Sequence, residues 1–455
     1  MLYNDTITEA FQMGFKAAMA KSDAIRQSNL QDMAAFYHND YEEICEILKE
    51  ITLNNPYTAE TQRTIKWQHM DQLSKMLKRM AAGIYTQRPV RKLMITDEEE
   101  DENFSNLLEQ IKFNSKVKEA LRAALFFNIC MIQPVWDMTA GKLRLDVILP
   151  NDVSVKTKPE DYLQLDGITI RKCVGDVIRY SVWTETEHYY MEGETKYNPA
   201  NNDNGVNPFA PVIPVSTLRL REGVDFYGEP NWNLYLAQQD YDIDLTEMSR
   251  AKQRVLHQVY LAINCNLKQG ERLSPGQIIT ADRVQEGQVL PSIESVTSNY
   301  DFQSIRENAE WTNKMLALSQ GLSASSVSTE VDDLSGIAKM IDNQEMEESR
   351  QELKDILYDF EIDLMQKIRI VYNTYSPQKL NEAGQFFMAF VEDPASETIQ
   401  DKVARREMEK EYGYKNEVDF AIEDLELNSR EEAIQLIQAR AEETAKLTEE
   451  QTSTE

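Results

Sequence analysis

One long stretch without proline constrains this chain of 455 residues more than any other feature of its sequence. No proline occurs between Gly336 and Pro377, and apolar residues recur at helical spacing through the second half of the stretch. They form one stripe, made of Leu353, Ile356, Leu357, Phe360, Leu364 and Ile368. The pattern predicts a helix of about 38 residues, roughly 57 Å long. Because residues 342–348 are mostly polar, only the second half is expected to pack in a core.

A second helix is predicted just before this stretch, from Asp301 to Gln320, with Gly321 after its last residue. The loop that joins the two helices consists of small and acidic residues, and no lysine or arginine occurs between Lys314 and Lys339. A loop of this composition between two helices favours a mechanical role over catalysis. Its polar residues are candidate functional residues: Ser323, Ser325, Ser326, Ser328, Thr329, Glu330, Asp332 and Asp333.

A further helix is predicted to begin within residues 223–230 and to continue to about Ile263, over roughly 50 Å. Pro230 suits the first turn, because the N–H that proline lacks would have no partner there. Segment 264–299 is punctuated by glycine and proline, and two or three short strands are predicted in it. With the helix that returns from Asp301, the sequence predicts a stalk that carries a small β tip.

Residues 1 to about 127 are predicted to be mostly helical, with one helix from about Thr58 to Tyr85. The polar side of this helix and the residues after it are basic, and the charge reverses abruptly at residues 97–102. One interpretation is a solvated helix face followed by an acidic helix start, which the helix dipole favours. The other is a pair of complementary surfaces on neighbouring subunits, with these candidates: Lys78, Arg79, Arg91, Glu98 and Glu99.

From Asn128 onward the apolar pattern changes to the period of strands. Strands are predicted over residues 129–136, 142–147, 166–171, 177–183 and 188–191. Near the end of the chain a strand is predicted over 385–391, followed by helices at about 396–412, 416–424 and 429–449. The predicted fold class is therefore α+β, mostly helical.

Composition restricts the partners and the compartment. The net charge is -29, from 77 acidic and 48 basic residues, which disfavours a protein that wraps nucleic acid. The four cysteines lie far apart, so a disulfide framework is not expected. The expected compartment is a reducing cytoplasm. No signal peptide and no continuous apolar run of about 18 residues are recognised, so a soluble protein is expected.

No sequence motif points to catalysis. The phosphate-binding loop GxxxxGK[ST] and the motifs GxSxG and HExxH are absent from the sequence. His38 and His188 each have two acidic neighbours, but acidic residues are so common here that chance explains both groups. We therefore expect no catalytic residue, no cofactor and no metal site.

Taken in order over about residues 40 to 440, these segments resemble a portal protein of tailed double-stranded DNA bacteriophages. The resemblance depends on their order and on three short stretches: Phe226-Tyr-Gly-Glu-Pro230, Leu334-Ser-Gly-Ile-Ala338 and Asn428-Ser-Arg-Glu-Glu-Ala433. It implies a wing of residues 1–222, which is helical to about 127 and then β-rich. A first stem helix (223–263), a clip (264–299), a second stem helix (300–321) and a tunnel loop (322–335) would follow. The chain would end with a long wing helix and strand (336–395) and a helical crown with an acidic tail (396–455).

The same resemblance implies a function and a set of partners. Portal proteins form a ring, usually of twelve copies, at one capsid vertex of the virion, and they assemble in the cytoplasm of the host bacterium. Double-stranded DNA passes through the ring without sequence specificity. The partners implied are the terminase large subunit, the major capsid and scaffolding proteins, and head–tail adaptor or tail proteins, with no membrane. The clip residues expected to dock terminase or an adaptor are Lys268, Glu271, Arg272, Arg283 and Glu286.

One feature of the predicted tunnel loop limits what it can do to DNA. Without lysine or arginine it offers no cation to grip a phosphate, so a low-friction collar is expected instead. An acidic ring would likewise repel DNA from its wall. The alternative is an acidic helical scaffold or adaptor of a large assembly that does not conduct DNA.

Overall fold

The computed structural model describes residues 26–52, 66–256, 259–263, 292–296, 302–322 and 336–390, together with Arg406 and Lys410. Positions 86, 97–98, 176, 200–201, 203 and 224 are excepted. The chain divides into two compact units, one of residues 1–333 and 339–391 and the other of 334–338 and 392–455. The elements below belong to the first unit, apart from the first turn of the longest helix.

The amino-terminal half of the described chain is helical. Helix α1 covers residues 26–38, and the next four helices are α2 (Tyr41–Thr52), α3 (Gln72–Ile84), α4 (Glu102–Gln110) and α5 (Phe113–Phe127). Their apolar faces meet in one core, in which Ile44, Met76 and Leu121 are almost completely buried. Burial of these faces, rather than intrinsic helix propensity, is what stabilises helices as short as these.

Two antiparallel sheets follow α5. The first contains β2 (Ile129–Asp137), β3 (Lys142–Ile148) and β9 (Ser216–Arg219), in the order β3-β2-β9. The second contains β4 (Val153–Lys158), β5 (Asp161–Val174), β6 (Val177–Thr184), β7 (His188–Glu192) and β8 (Thr195–Tyr197), in sequence order. Helix α5 packs against all three strands of the first sheet.

The longest helix, α8 (Gly336–Tyr375), is followed by β12 (Gln385–Ala389), which pairs antiparallel with β1 (Val90–Met94). The second half of α8 supplies core residues, with Leu357, Leu364 and Ile368 all fully buried. The 40-residue length and the buried stripe confirm the prediction made from the apolar spacing.

A helix hairpin completes the described fold. Helix α6 (Trp232–Leu256) leads to β10 (Val259–Ile263), and β11 (Ser292–Val296) leads back to helix α7 (Phe302–Ser319). Strands β10 and β11 pair antiparallel, with Val259 opposite Val296 and Ile263 opposite Ser292. The two helices therefore run in opposite directions along each other.

Mixed helix and sheet confirm the α+β class, but several predicted boundaries are wrong. Residues 66–71 are not helical, so α3 begins at Gln72 rather than near Thr58, and residues 53–65 lie outside the described range. Helix α6 ends at Leu256 rather than Ile263, because residues 259–263 pair with β11 instead. The strands that were not predicted are β1, β4, β8, β9 and β10.

Candidate functional site

The residues predicted to carry the function at the tunnel loop and the clip lie outside the described residues. This holds for the whole of 323–335 and 264–291. The described structure instead shows how the three helices that flank these segments are held in the fold. These helices are α6, α7 and α8.

The base of the helix hairpin is fixed by contacts with the core of the same unit. The Asn231 side-chain amide donates hydrogen bonds to the Gln320 side-chain oxygen at 2.6 Å and to the Leu125 carbonyl at 3.4 Å. The backbone N–H of Asn231 also donates to the Phe126 carbonyl at 2.8 Å. The start of α6 and the end of α7 therefore meet beside the end of α5.

The turn before α6 is built around Asn128, a residue in the left-handed region with φ of 69°. Its side-chain amide donates to the carbonyls of Arg221 and Tyr227, at 3.0 and 3.1 Å, and its side-chain oxygen accepts from the Arg221 N–H. Gly228 has φ of 63°, and a Cβ there would collide with the Asn128 amide nitrogen. Only glycine satisfies both the conformation and the space at this position.

Helix α6 is attached to the helical core by polar side chains at four-residue spacing. Gln238 and Asp242 are 3 % and 0 % exposed, and Thr246 is 1 % exposed. Gln238 accepts from the N–H groups of Gln72 and Leu73, which are the first two residues of α3. A helix start has N–H groups without partners inside the helix, so Gln238 satisfies two of them.

Asp242 and Thr246 continue this attachment along the non-helical segment before α3. The Asp242 carboxylate accepts from the Met70 N–H at 3.1 Å and contacts the His69 ring nitrogen Nδ1 at 2.6 Å. The Thr246 hydroxyl accepts from the Gln68 N–H at 2.9 Å. These bonds satisfy backbone N–H groups of residues 68–70 outside a helix, where a helix was predicted.

The end of α7 is closed by a Schellman motif. The Leu322 N–H donates to the Ala317 carbonyl at 2.9 Å and the Gly321 N–H to the Leu318 carbonyl at 3.1 Å. Gly321 has φ of 66°, and Leu322 and Ala317 are both buried. The chain thus leaves α7 in a fixed direction at Leu322, at the end predicted from Gln320-Gly321.

Helix α8 is fixed by one buried charged group in addition to its apolar stripe. Glu361, which is 0 % exposed, pairs with Arg91 of β1 and accepts a 2.7 Å hydrogen bond from the Tyr85 hydroxyl. The Arg91 guanidinium also lies over the Phe113 ring, at 4.9 Å from its centroid. Burial and the neighbouring Glu361 carboxylate raise the pKa of Tyr85 well above its usual value.

The proposed subunit-contact residues separate into two groups. Lys78, Arg79 and Glu99 are exposed, while Glu98 lies outside the described residues. The predicted subunit contact is wrong for Arg91, because its side chain is buried and paired with Glu361 of the same chain. A strand was not expected at residues 90–94, and the strand turns Arg91 towards the core.

The histidines with acidic neighbours do not form metal sites among the described residues. No group of three His, Cys, Asp or Glu side chains there could hold a metal ion. His188 instead stacks on Trp183, with ring centroids 3.4 Å apart, and burial lowers its pKa to about 4. Of the helices within the described ranges, none has the length and apolarity needed to span a membrane.

The sequence patterns did not predict the structural roles of Asn128, Gln238 and Asp242. Asn128 carried one signal, since it is the polar residue that ends the apolar run of α5. Asp242 gave a misleading one, because the apolar residues Leu234, Tyr241 and Leu245 suggested that the acidic residues lie away from the core.

No protein-family model matches the sequence, and a search of curated proteins finds no match either. Among solved structures, a chain in the neck of a native gene transfer agent (GTA) particle computed with C12 symmetry is similar at 10% identity and a TM-score of 0.41, covering 75% of this chain and 85% of that one. A chain of the native GTA virion is similar at 10% identity and a TM-score of 0.38, and the match covers 82% of this chain and 96% of that one. A chain from the neck of an empty GTA particle computed with C6 symmetry is similar at 10% identity and a TM-score of 0.36. That match covers 75% of this chain and 84% of the other. Similarity at this level does not establish a function.

Proposed function

We propose that this chain is a phage portal protein, which forms a ring at one capsid vertex and conducts double-stranded DNA. The observation that carries the proposal is the order of α6, the β10–β11 pair, α7 and α8 along the chain. Two antiparallel helices with a β ribbon between them match the stem and clip expected from the sequence. The 40-residue helix that follows in sequence matches the expected long wing helix.

The supports near the proposed tunnel loop favour this assignment. The Schellman motif fixes the chain at Leu322, and the Glu361 pair and the apolar stripe fix the second half of α8. A loop that meets moving DNA needs such supports, because force on the loop is passed to the elements that carry it. The chain would then enter the proposed tunnel loop in the direction that this motif fixes at Leu322.

Charge supports passage of DNA rather than tight binding. The net charge of -29 and the absence of lysine and arginine between Lys314 and Lys339 leave the loop without cations for phosphates. Repulsion between an acidic wall and DNA keeps the phosphates from sticking during movement. Contact with DNA would be made by the serine and threonine hydroxyls of the loop, by its backbone groups or through its shape.

The proposal also assigns partners and excludes a catalytic role for this chain. Terminase, which would supply the chemical energy, docks at the clip of 264–299 during packaging, and adaptor or tail proteins later take its place. Major capsid and scaffolding proteins surround the wing. The virion is then the location of the mature ring, after assembly in the bacterial cytoplasm.

Electron microscopy of the purified protein tests the proposal directly. We expect rings with a central hole, in class averages from particles at micromolar concentration. Particles that are uniformly monomeric and compact would contradict the proposal. A closed assembly without a hole would favour the scaffold or adaptor alternative instead.

Deletion of Ser323 to Asp333 tests the role of the loop. The deleted protein should still form rings but should fail in DNA packaging or in retention of packaged DNA. A scaffold that conducts no DNA would show no defect specific to packaging.

Two matched loop variants separate charge from shape. Glu330, Asp332 and Asp333 changed together to lysine should slow packaging, because the new cations would grip phosphates. The same three positions changed to Gln, Asn and Asn should leave packaging close to normal. Equal packaging by both variants would contradict the low-friction collar.

A further inference from the structure

Helix α7 exposes three large apolar side chains in one row. Trp311, Met315 and Leu318 are 60%, 43% and 48% exposed, and their spacing of four and three residues places them on one side of the helix. On the other side Ala317 is fully buried. An exposed row of this size, with tryptophan in it, is typical of a surface that another protein covers. We call it the α7 stripe.

Helix α6 presents an exposed face of different chemistry. Leu236 is 50% exposed, and Asp240 and Asp244 are exposed four and eight residues further on, on the same side. Partial burial of its carboxylate and the neighbouring Asp240 raise the pKa of Asp244. In the described part of the chain neither aspartate has an ion pair, and Lys314, which lies between the residues of the α7 stripe, has none either.

The two faces match in height along the hairpin. Asn231 meets Gln320 at the base, so positions on the antiparallel helices correspond in pairs counted from that contact. Leu236 then lies level with Met315, and Asp240 lies level with Trp311, within one turn of Lys314. A rotation about an axis parallel to the helices would keep these levels when one copy meets the next.

We propose that the α7 stripe of one copy packs against the Leu236–Asp240 face of α6 in a second copy, with Lys314 paired to Asp240. This inference rests on the proposed ring and identifies the surfaces that join its subunits. The contact uses two different faces, so it can repeat from copy to copy and close a ring. The match ends beyond Asp240, where Asp244 is level with the exposed Glu307 and both are acidic.

Charge favours this pairing over a contact between two identical faces. Two α7 stripes packed together would bring Lys314 of one copy towards Lys314 of the other. Two α6 faces packed together would bring the aspartate carboxylates of the two copies together. Like charges that face each other across an interface disfavour association. The unlike pairing joins the apolar residues and neutralises one charge from each side.

Crosslinking between differently tagged copies tests the contact. One copy carries Leu236→Cys and the other Leu318→Cys, both with Cys45, Cys173 and Cys265 changed to serine, and the two are coexpressed and treated with a short bismaleimide. We expect a covalent dimer that contains both tags. As a control, Met138→Cys, which is 48% exposed in the turn region after β2, should give no dimer with Leu318→Cys.

Two outcomes of that experiment would overturn the inference. One is rings in the electron microscope without the mixed dimer. The other is a dimer formed by Leu318→Cys copies alone, which would mean contact between identical faces. Absence of rings in the unaltered protein would instead count against the portal proposal itself.

Assembly measurements test the energetics of the same contact. Trp311→Ala should lower the association constant about tenfold or more, because an exposed tryptophan anchor is lost without harm to the core. Lys314→Glu should lower it about threefold, and adding Asp240→Lys should restore it, since the charges are exchanged. Unchanged assembly of Trp311→Ala, or failure of the exchange to restore assembly, would contradict the pairing.

Discussion

Helices α6 and α8 are both held by the same core, but they are held in different ways. Helix α8 contributes an apolar stripe with Leu357, Leu364 and Ile368 fully buried, and one charged residue, Glu361, lies within it. The buried face of α6 is largely polar, with Gln238, Asp242 and Thr246 bonded mainly to the backbone of another segment.

The difference separates stability from orientation. Burial of apolar side chains is non-directional and contributes most of the free energy of folding. Hydrogen bonds from side chains to the backbone contribute less net free energy, but each needs one geometry. We therefore infer that α8 stabilises the unit, whereas the polar face of α6 fixes the direction of the helix hairpin.

The largest effect is expected from Glu361→Ala in α8. The change leaves the Arg91 guanidinium buried without its carboxylate, so the free energy of unfolding should fall by about 3–5 kcal/mol. Urea unfolding at one fixed protein concentration measures the loss. A change within error of the unaltered protein would mean that the buried pair is not formed.

A double variant sharpens this test. Arg91→Met combined with Glu361→Leu removes both charges, so it should be much more stable than Glu361→Ala alone. The Tyr85 hydroxyl loses its acceptor in both variants and does not bias the comparison. A double variant as unstable as the single one would show that shape, rather than the unpaired charge, causes the loss.

The second largest effect is expected from Leu364→Ala, which removes a fully buried side chain from the α8 stripe. The cavity and the lost apolar contact should lower the free energy of unfolding by about 3 kcal/mol. Tyr358→Ala on the same helix is the control, because Tyr358 is 42% exposed. Equal losses for the two variants would contradict the buried position of the stripe.

A smaller and more local effect is expected from Gln238→Ala in α6. The Leu73 N–H loses its acceptor and the Gln72 N–H keeps only the Met70 carbonyl, at a cost of about 1–3 kcal/mol. Hydrogen exchange should accelerate at these two amides. Gln351→Ala, at an exposed position of α8, should leave their exchange unchanged. Slow exchange at Gln72 and Leu73 in Gln238→Ala would contradict the proposed role of the α6 face.

The smallest effect is expected from Asp244→Asn. Partial burial and Asp240 raise the pKa of Asp244, so the ionised carboxylate destabilises the folded subunit at neutral pH. Asparagine should then stabilise the subunit by a few tenths of a kcal/mol, since exposure screens the repulsion. This gain should disappear as the pH falls through the raised pKa, where Asp244 is protonated. Thermal unfolding at neutral and acidic pH measures it, and a gain at acidic pH alone would contradict the sign.

The sequence by itself determined the elements whose periodic pattern is long and unbroken. The apolar stripe of α8, the end of α7 at Gly321 and the strands beginning at Ile129 and Lys142 all follow from residue spacing and from glycine. These are local features, because a stripe or a cap is encoded in residues close together in the chain.

Tertiary structure alone decided where α3 begins, where α6 ends and which way Arg91 points. Residues 68–70 are not helical, and α6, more than 170 positions later, supplies acceptors for the N–H groups of Gln68 and Met70. Residues 259–263 are a strand because β11 pairs with them, and Arg91 is buried because Glu361 lies opposite. Each result depends on a partner distant in sequence, and periodicity within one segment carries no information about such a partner.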